Sequence, residues 1–277
     1  MDMTGRTCLV TGANTGHGKA VALALAGTRA TVLLGCRDPP RAEQTRVELI
    51  SVSGNRRVDA LPLDLASQRS IREAATTLAA KYPALDVLVN NAAAWWSDRR
   101  VSPDGVELVW ATNVLGPQLL THLLLPSLKA SGHGRIVNVS STFASGLDID
   151  DVEWSREPYR GDKAYQASKQ ANRMLTWAWA KRLADAPVAI NAISPGFMKT
   201  DLGRNAPRSF RAILLLLRPF QVSAQRGADT AVWLATSQEA TAMTNQFVVG
   251  RKPVPCEFRD EQAYERLWQI FERRLSA

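Results

Sequence analysis

TGANTGHG, residues 11–18, places glycines at 12, 16 and 18 directly after the apolar run CLV. Small residues at a strand-to-helix turn let the backbone approach a diphosphate. The helix that follows, GKAVALALAGTR, turns its unpaired N–H groups and positive end toward the same point. The spacing is Gly-x-x-x-Gly-x-Gly rather than the commoner dinucleotide fingerprint, and on its own it could be an ordinary glycine-rich turn. Its place behind a buried strand, at the head of an alternating strand–helix pattern, favours a dinucleotide cradle built from Gly12, Asn14, Thr15, Gly16, His17 and Gly18.

The alternation continues outward from that turn. RTCLVTG (6–12), ATVLLGCR (30–37), VDALPLD (58–64), LDVLVNN (85–91), GRIVNVSS (134–141), VAINAISPG (188–196) and QFVVG (246–250) read as strands. Helical stretches are expected at SIREAATTLAAKY, over roughly 104–130, at 164–184 and at 227–236. Near-continuous apolar strands separated by helices predict a mostly parallel, doubly wound α/β sheet of Rossmann type, covered on both faces. No repeat or low-complexity linker divides the 277 residues, so one domain spanning 1–277 is expected. The longest departures, 142–163 and 197–224, follow strand ends, where ligands sit in open α/β sheets. The leucine run within the second segment suits a packing helix as well as a lid.

Composition narrows the partners. An apolar fraction of 45% with 22% charged residues fits a compact fold, and the formal charge of +8 favours anionic ligands. The basic residues are scattered, so no nucleic-acid surface is expected. Three cysteines and three histidines fit no zinc spacing, and no metal site is expected. The N-terminus runs straight into the first strand, and AILLLL at 212–217 is too short to span a bilayer. A cytoplasmic protein without an integral membrane segment is therefore expected. The amphipathic EQAYERLWQIFERRL could pack on the fold, join a homo-oligomer or touch a membrane face.

Two Tyr-x-x-x-Lys spacings occur in EPYRGDKAYQASK: Tyr159 with Lys163, and Tyr165 with Lys169. Pro158 and Gly161 resist helix around the first, whereas the second opens an alanine-rich helix that stacks Lys169 one turn beyond Tyr165. A lysine cation beside a tyrosine favours the phenolate and would move its pKa down toward a useful range. Ser141, at the end of VNVSS, is placed to polarise a substrate oxygen, with Ser140 as its rival depending on strand phase. Asn113, in ATNVLG, is either a buried helical amide or the organiser of a water beside Lys169. At the end of the second strand there is no acid for the ribose hydroxyls. Arg37 stands there instead and suits a 2′-phosphate, unless it simply pairs with Asp38.

Together these elements resemble the short-chain dehydrogenase/reductase family over nearly the whole chain. The resemblance carries the glycine motif onto TGANTGHG, the adenine-side acid onto Asp64 with Leu65, and the Asn-Asn-Ala-Gly motif onto NNAA with Asn91. It carries the active constellation onto Asn113, Ser141, Tyr165 and Lys169. The Pro-Gly segment falls on Pro195 and Gly196, with Thr200 near the nicotinamide amide. GANTGHGKA, LLGCRD, NVLGPQLLTHLLLPSLK and the 24-residue interval from Ser141 to Tyr165 are similar to the retinol-dehydrogenase-like branch. The resemblance implies reversible hydride transfer between a nicotinamide cofactor and an alcohol or carbonyl carbon; Arg37 points to NADP(H), with NAD(H) as a second cofactor, and Trp95, Trp96 and Trp154 point to a hydrophobic alcohol, aldehyde or ketone. Tyr165 would exchange the proton, and Lys169 would bind the nicotinamide ribose and lower the Tyr165 pKa. A nonenzymatic dinucleotide sensor or scaffold, or an epimerase or dehydratase, would keep many of the same residues. His17 replaces a usual aliphatic residue and Ala93 a usual glycine; His17 is expected to act on packing rather than on protons. Trp95, Trp96, Trp154 and the segment around Phe210–Phe220 offer apolar surface for a substrate, and Tyr159 would either line the site or hold the insertion together.

Overall fold

A computed structural model describes residues 1–156, 158–196 and 222–275. Its first strands are β1 (Thr7–Thr11), β2 (Thr31–Cys36), β3 (Val58–Pro62) and β4 (Val87–Asn90), interleaved with α1 (Gly16–Gly27), α2 (Pro39–Ser53) and α3 (Gln68–Lys81). Then come α4 (Leu108–Ala130), β5 (Gly134–Val139), α5 (Gly161–Arg182), β6 (Val188–Ser194), α6 (Ala224–Thr236), β7 (Gln246–Val249), β8 (Lys252–Pro253) and α7 (Glu261–Leu275). The strands form one sheet in the order β3-β2-β1-β4-β5-β6-β7-β8, parallel throughout except for the β7–β8 pair. The order reverses between β1 and β4, which opens a crevice at their carboxyl ends.

Period-two alternation along the strands feeds two cores. Leu9, Leu33, Leu88, Ile136 and Ile190 point to one face, where α3, α4, α5 and α7 pack. Cys8, Val10, Val32, Val87 and Val137 point to the other, covered by α1, α2 and α6. The expected doubly wound sheet is the observed one.

Three local differences from the sequence reading have physical causes. Helix α2 was not foreseen, although Asp38 caps it by accepting from Arg41 N–H, prolines occupy its first turn and Gly54 ends it in the left-handed region. Helix α4 starts at Leu108 rather than near 104, because Val101 bridges Glu107 and the buried Glu107 carboxylate accepts from the N–H groups of Val109 and Trp110. Three residues later α4 widens into a π turn, Ala111–Leu115, closed by Gly116 N–H donating to Ala111 O.

Helix α4 has the length and apolarity of a membrane span, yet 67% of its apolar window is buried inside the fold. Helix α7 buries Leu267, Trp268 and Phe271. Trp268 meets Trp179 edge-on at 4.9 Å, and Arg182 pairs with Glu265 at 2.7 Å. Packing is therefore how the apolar face of this amphipathic helix is used. Its outer side reaches the 142–160 segment through Arg266–Asp150, at 2.6 Å, and Arg274–Glu153.

Candidate active site

The glycine turn is shaped by contacts that admit no side chain. A Cβ on Gly18 would lie 2.3 Å from Asn91 Nδ2 and 2.4 Å from Gly12 O, so strand β4 and helix α1 meet here only through a glycine. Gly12 has φ +64° and is hemmed in by Ala92, while the position of a Gly16 Cβ is open. Thr15 precedes α1 without capping it through its side chain, and no acid stands in the first turn. The helix N-terminus thus keeps its donors and positive end for an anion, as a dinucleotide diphosphate requires. Asn14 lies in the turn itself.

Asn91 locks this cradle. Its Nδ2 donates to Thr11 O at 2.7 Å, which fixes Oδ1 toward His17 Nδ1 at 2.8 Å. The other ring nitrogen of buried His17 lies 3.1 Å from Gly227 O on α6. Burial pushes the His17 pKa down, and the charge of Lys169 pushes it further, against the two hydrogen bonds that raise it. His17 is therefore a neutral staple between α1, β4 and α6, in keeping with a packing role.

At the end of β2, Arg37 is exposed. Asp38 accepts from Arg41 N–H and pairs with the Arg41 side chain at 3.3 Å. No ion pair joins Arg37 to Asp38 among the described residues. Asp64 follows β3, where its Oδ1 accepts from Ala66 N–H at 3.0 Å, and Leu65 is buried against Gly116 of α4. Pro195 and Gly196 follow β6, with Gly196 at φ +82°. Thr200, the leucine run 212–217 and the segment around Phe210–Phe220 lie outside the described residues.

Helix α5 carries the chemical groups. Lys169 is 2% exposed; its ammonium sits 5.5 Å from the centre of the Tyr165 ring and donates to Val139 O at 2.8 Å. An ammonium has three donors, so two remain for other acceptors. Burial pulls the Lys169 pKa down to about 8 and pushes that of Tyr165 up to about 12. Here the expectation of a lysine-lowered tyrosine fails. The ammonium faces the ring and the strand carbonyl, and loss of water around the phenol dominates. Lys163 is exposed on the first turn, and Tyr159 donates instead to Glu107, at 3.1 Å. Only the Tyr165–Lys169 pair is stacked on the helix.

The two serines separate by strand phase. Ser140 is buried, and its hydroxyl donates to Lys169 O at 2.8 Å. Ser141 is half-buried; its Oγ accepts from Phe143 N–H at 3.0 Å, which leaves its own proton to be donated. Asn113 uses its side chain elsewhere. Its Oδ1 accepts from Ala94 N–H at 2.6 Å, and its Nδ2 donates to Ala94 O and to Ser168 Oγ, each at 3.0 Å. Its amide fastens the loop after β4 to α5.

Sequence reasoning missed Glu107 and takes Gly161 to resist helix, whereas α5 begins at Gly161. A Cβ on Gly161 would come within 1.8 Å of Trp96 O, so α5 can begin only with a glycine there. The tryptophan pair is thereby seated at the head of the helix, with the Arg100 guanidinium 3.8 Å over Trp96. Trp154, by contrast, meets Tyr159 edge-on at 6.1 Å within the insertion.

A short chain dehydrogenase family model matches residues 6–209. The chain belongs to the short-chain dehydrogenase family. Retinol dehydrogenase 13 of Mus musculus is 38% identical over 274 residues, covering 95% of this chain and 82% of that protein. An uncharacterised Mycobacterium paratuberculosis protein has a similar structure, with TM-score 0.80, 29% identity, and 98% and 94% of the two chains covered. The Pseudomonas aeruginosa RhlG/NADP active-site complex matches with TM-score 0.71 and 28% identity, over 89% and 95%. This short-chain dehydrogenase is thus of the retinol-dehydrogenase-like branch, an oxidoreductase that uses a nicotinamide dinucleotide.

Proposed function

We propose that this short-chain dehydrogenase is an NADPH-preferring enzyme that interconverts a hydrophobic alcohol with its aldehyde or ketone. The observation that carries the reading is the stack of Tyr165 on buried Lys169, beside a β5 end where Ser141 keeps a free hydroxyl proton. The nicotinamide supplies or accepts the hydride when bound. Ser141 donates to the substrate oxygen, and Tyr165 hands that oxygen its proton during reduction. A phenol that burial holds at a pKa of about 12 keeps its proton at neutral pH, which suits the reductive direction. Lys169 has two donors left for the ribose hydroxyls of the cofactor.

Arg37 supports the phosphorylated cofactor: it is exposed at the end of β2, and the neighbouring acid is occupied by Arg41. The similar RhlG structure is an NADP complex. Trp96, seated against Gly161 at the head of α5, supports an apolar substrate. The experiment is a panel of carbonyls and alcohols followed by NADPH and NADH absorbance together with product identity. Product in stoichiometric ratio to NADPH oxidised, abolished in Tyr165→Phe, is the expected outcome. Product without net cofactor change, or near-normal turnover in Tyr165→Phe, overturns it.

A further inference from the structure

Arg173 is an arginine that the fold buries without an ion pair among the described residues, the charge of Glu257 reaching it only from a distance. It lies one helical turn beyond Lys169 and two beyond Tyr165, on the same face of α5. Its Nη2 donates to the main-chain carbonyl of Ser141, and its Nη1 reaches Cys256 Sγ at 3.9 Å. The guanidinium carbon stands 3.7 Å from the centre of the Phe247 ring and 5.3 Å from that of Phe258. Nε has no partner. Burying a cation this way is costly unless its hydrogen bonds and ring faces compensate. An apolar residue would fill the gap between the two rings more cheaply, so the contact that accounts for an arginine is the one to Ser141.

That contact completes a four-point hold on the turn after β5. Ser140 Oγ donates to Lys169 O, and Thr142 N–H donates to Ser194 Oγ at 3.2 Å. Phe143 N–H donates to Ser141 Oγ, and Arg173 takes the Ser141 carbonyl. With that carbonyl fixed, the peptide between Ser141 and Thr142 cannot rotate, Thr142 N–H stays on Ser194 Oγ, and the turn that carries Ser141 Oγ and Phe143 N–H keeps its shape. We infer that Arg173 is a positioning residue: it fixes the direction of the Ser141 hydroxyl and couples it to the segment carrying Cys256 and Phe258. The inference rests on the role proposed above for Ser141. Its effect is on turnover rather than on cofactor affinity, because Arg173 touches none of the dinucleotide cradle.

The test compares Arg173→Met, which keeps a long apolar stem between the rings, with Arg173→Lys, which keeps a donor. Hydrogen exchange by mass spectrometry on the full chain reads the turn without needing catalysis. Exchange at residues 140–143 should quicken about tenfold in Arg173→Met and less in Arg173→Lys. The kcat for carbonyl reduction should fall about 10–100-fold in Arg173→Met at little-changed KM for NADPH, with partial recovery in Arg173→Lys. Adding Arg173→Met to Ser141→Ala should cost nothing further, since both act through one hydroxyl. Unchanged exchange at 140–143, or losses that multiply in the double variant, overturns the inference. If Ser141→Ala alone turns over normally, it is the reading of Ser141 that fails. The exchange measurement then still reports, separately, whether Arg173 holds the turn.

Discussion

The hydroxyl of Tyr159 donates to Glu107 Oε1 at 3.1 Å, joining residues 52 positions apart. The same carboxylate caps the first turn of α4, and burial raises its pKa. The tyrosine of one Tyr-x-x-x-Lys repeat is therefore a clasp between the 142–160 segment and α4, and the other repeat stands with both residues on α5.

Tyr159→Phe removes that clasp's donor and leaves the crevice untouched. It should lower stability by about 1 kcal/mol, the usual worth of a hydrogen bond to a buried acceptor. Chemical denaturation and kcat measured side by side give the check, with kcat expected to stay near wild type.

Lys169→Met carries a pH signature. The folded pKa of Lys169 is about 8 against 10.5 for the free side chain, so the folded state binds this proton more weakly than the unfolded chain. The penalty is full below about pH 8 and fades as pH climbs toward 10.5. Wild type should gain stability relative to Lys169→Met across that window, by on the order of 3 kcal/mol. Denaturant midpoints of both proteins from pH 7 to 10.5 read the difference.

Gly18→Ala places a methyl 2.3 Å from Asn91 Nδ2. The turn must move, at a cost of about 1–3 kcal/mol for overpacking. The Kd for the dinucleotide should rise about tenfold or more, since the displaced atoms are the cradle itself. Calorimetric titration with NADPH, alongside a melting curve, separates the two effects.

Arg37→Ala should weaken NADPH binding about 10–100-fold and leave NADH within about threefold, because the lost guanidinium addresses only a 2′-phosphate. Equal losses for both cofactors would remove the basis for an NADPH preference.

Much of this molecule is legible along the chain, and the reasons are local. Strand β1 and the glycine turn are read from an apolar run and three glycines, and helix α5 from its alanines and the i, i+4 stacking of Tyr165 and Lys169. What stays hidden depends on partners from afar. The fate of Tyr159 is decided by Glu107, and Ser140 is separated from Ser141 only once Lys169 O and Phe143 N–H are in place. Arg173 reads as one more helical cation until the Ser141 carbonyl, 32 residues upstream, arrives beneath it. Helix α2 was passed over for the opposite reason. It buries only Ala42, Thr45 and Leu49, so its apolar stripe is faint and its caps are the signal.

The clamping of α7 onto the 142–160 segment has an evolutionary reading. Arg266 and Arg274 grip Asp150 and Glu153 from 116 and 121 residues downstream. The hold on the 142–160 segment and the Tyr165–Lys169 pair are thus encoded in separate stretches of sequence. On the proposed function, substitutions on the rim of α7 should retune which molecules enter while Tyr165 and Lys169 stay in place. A library confined to that helix is the economical starting point for redirecting selectivity.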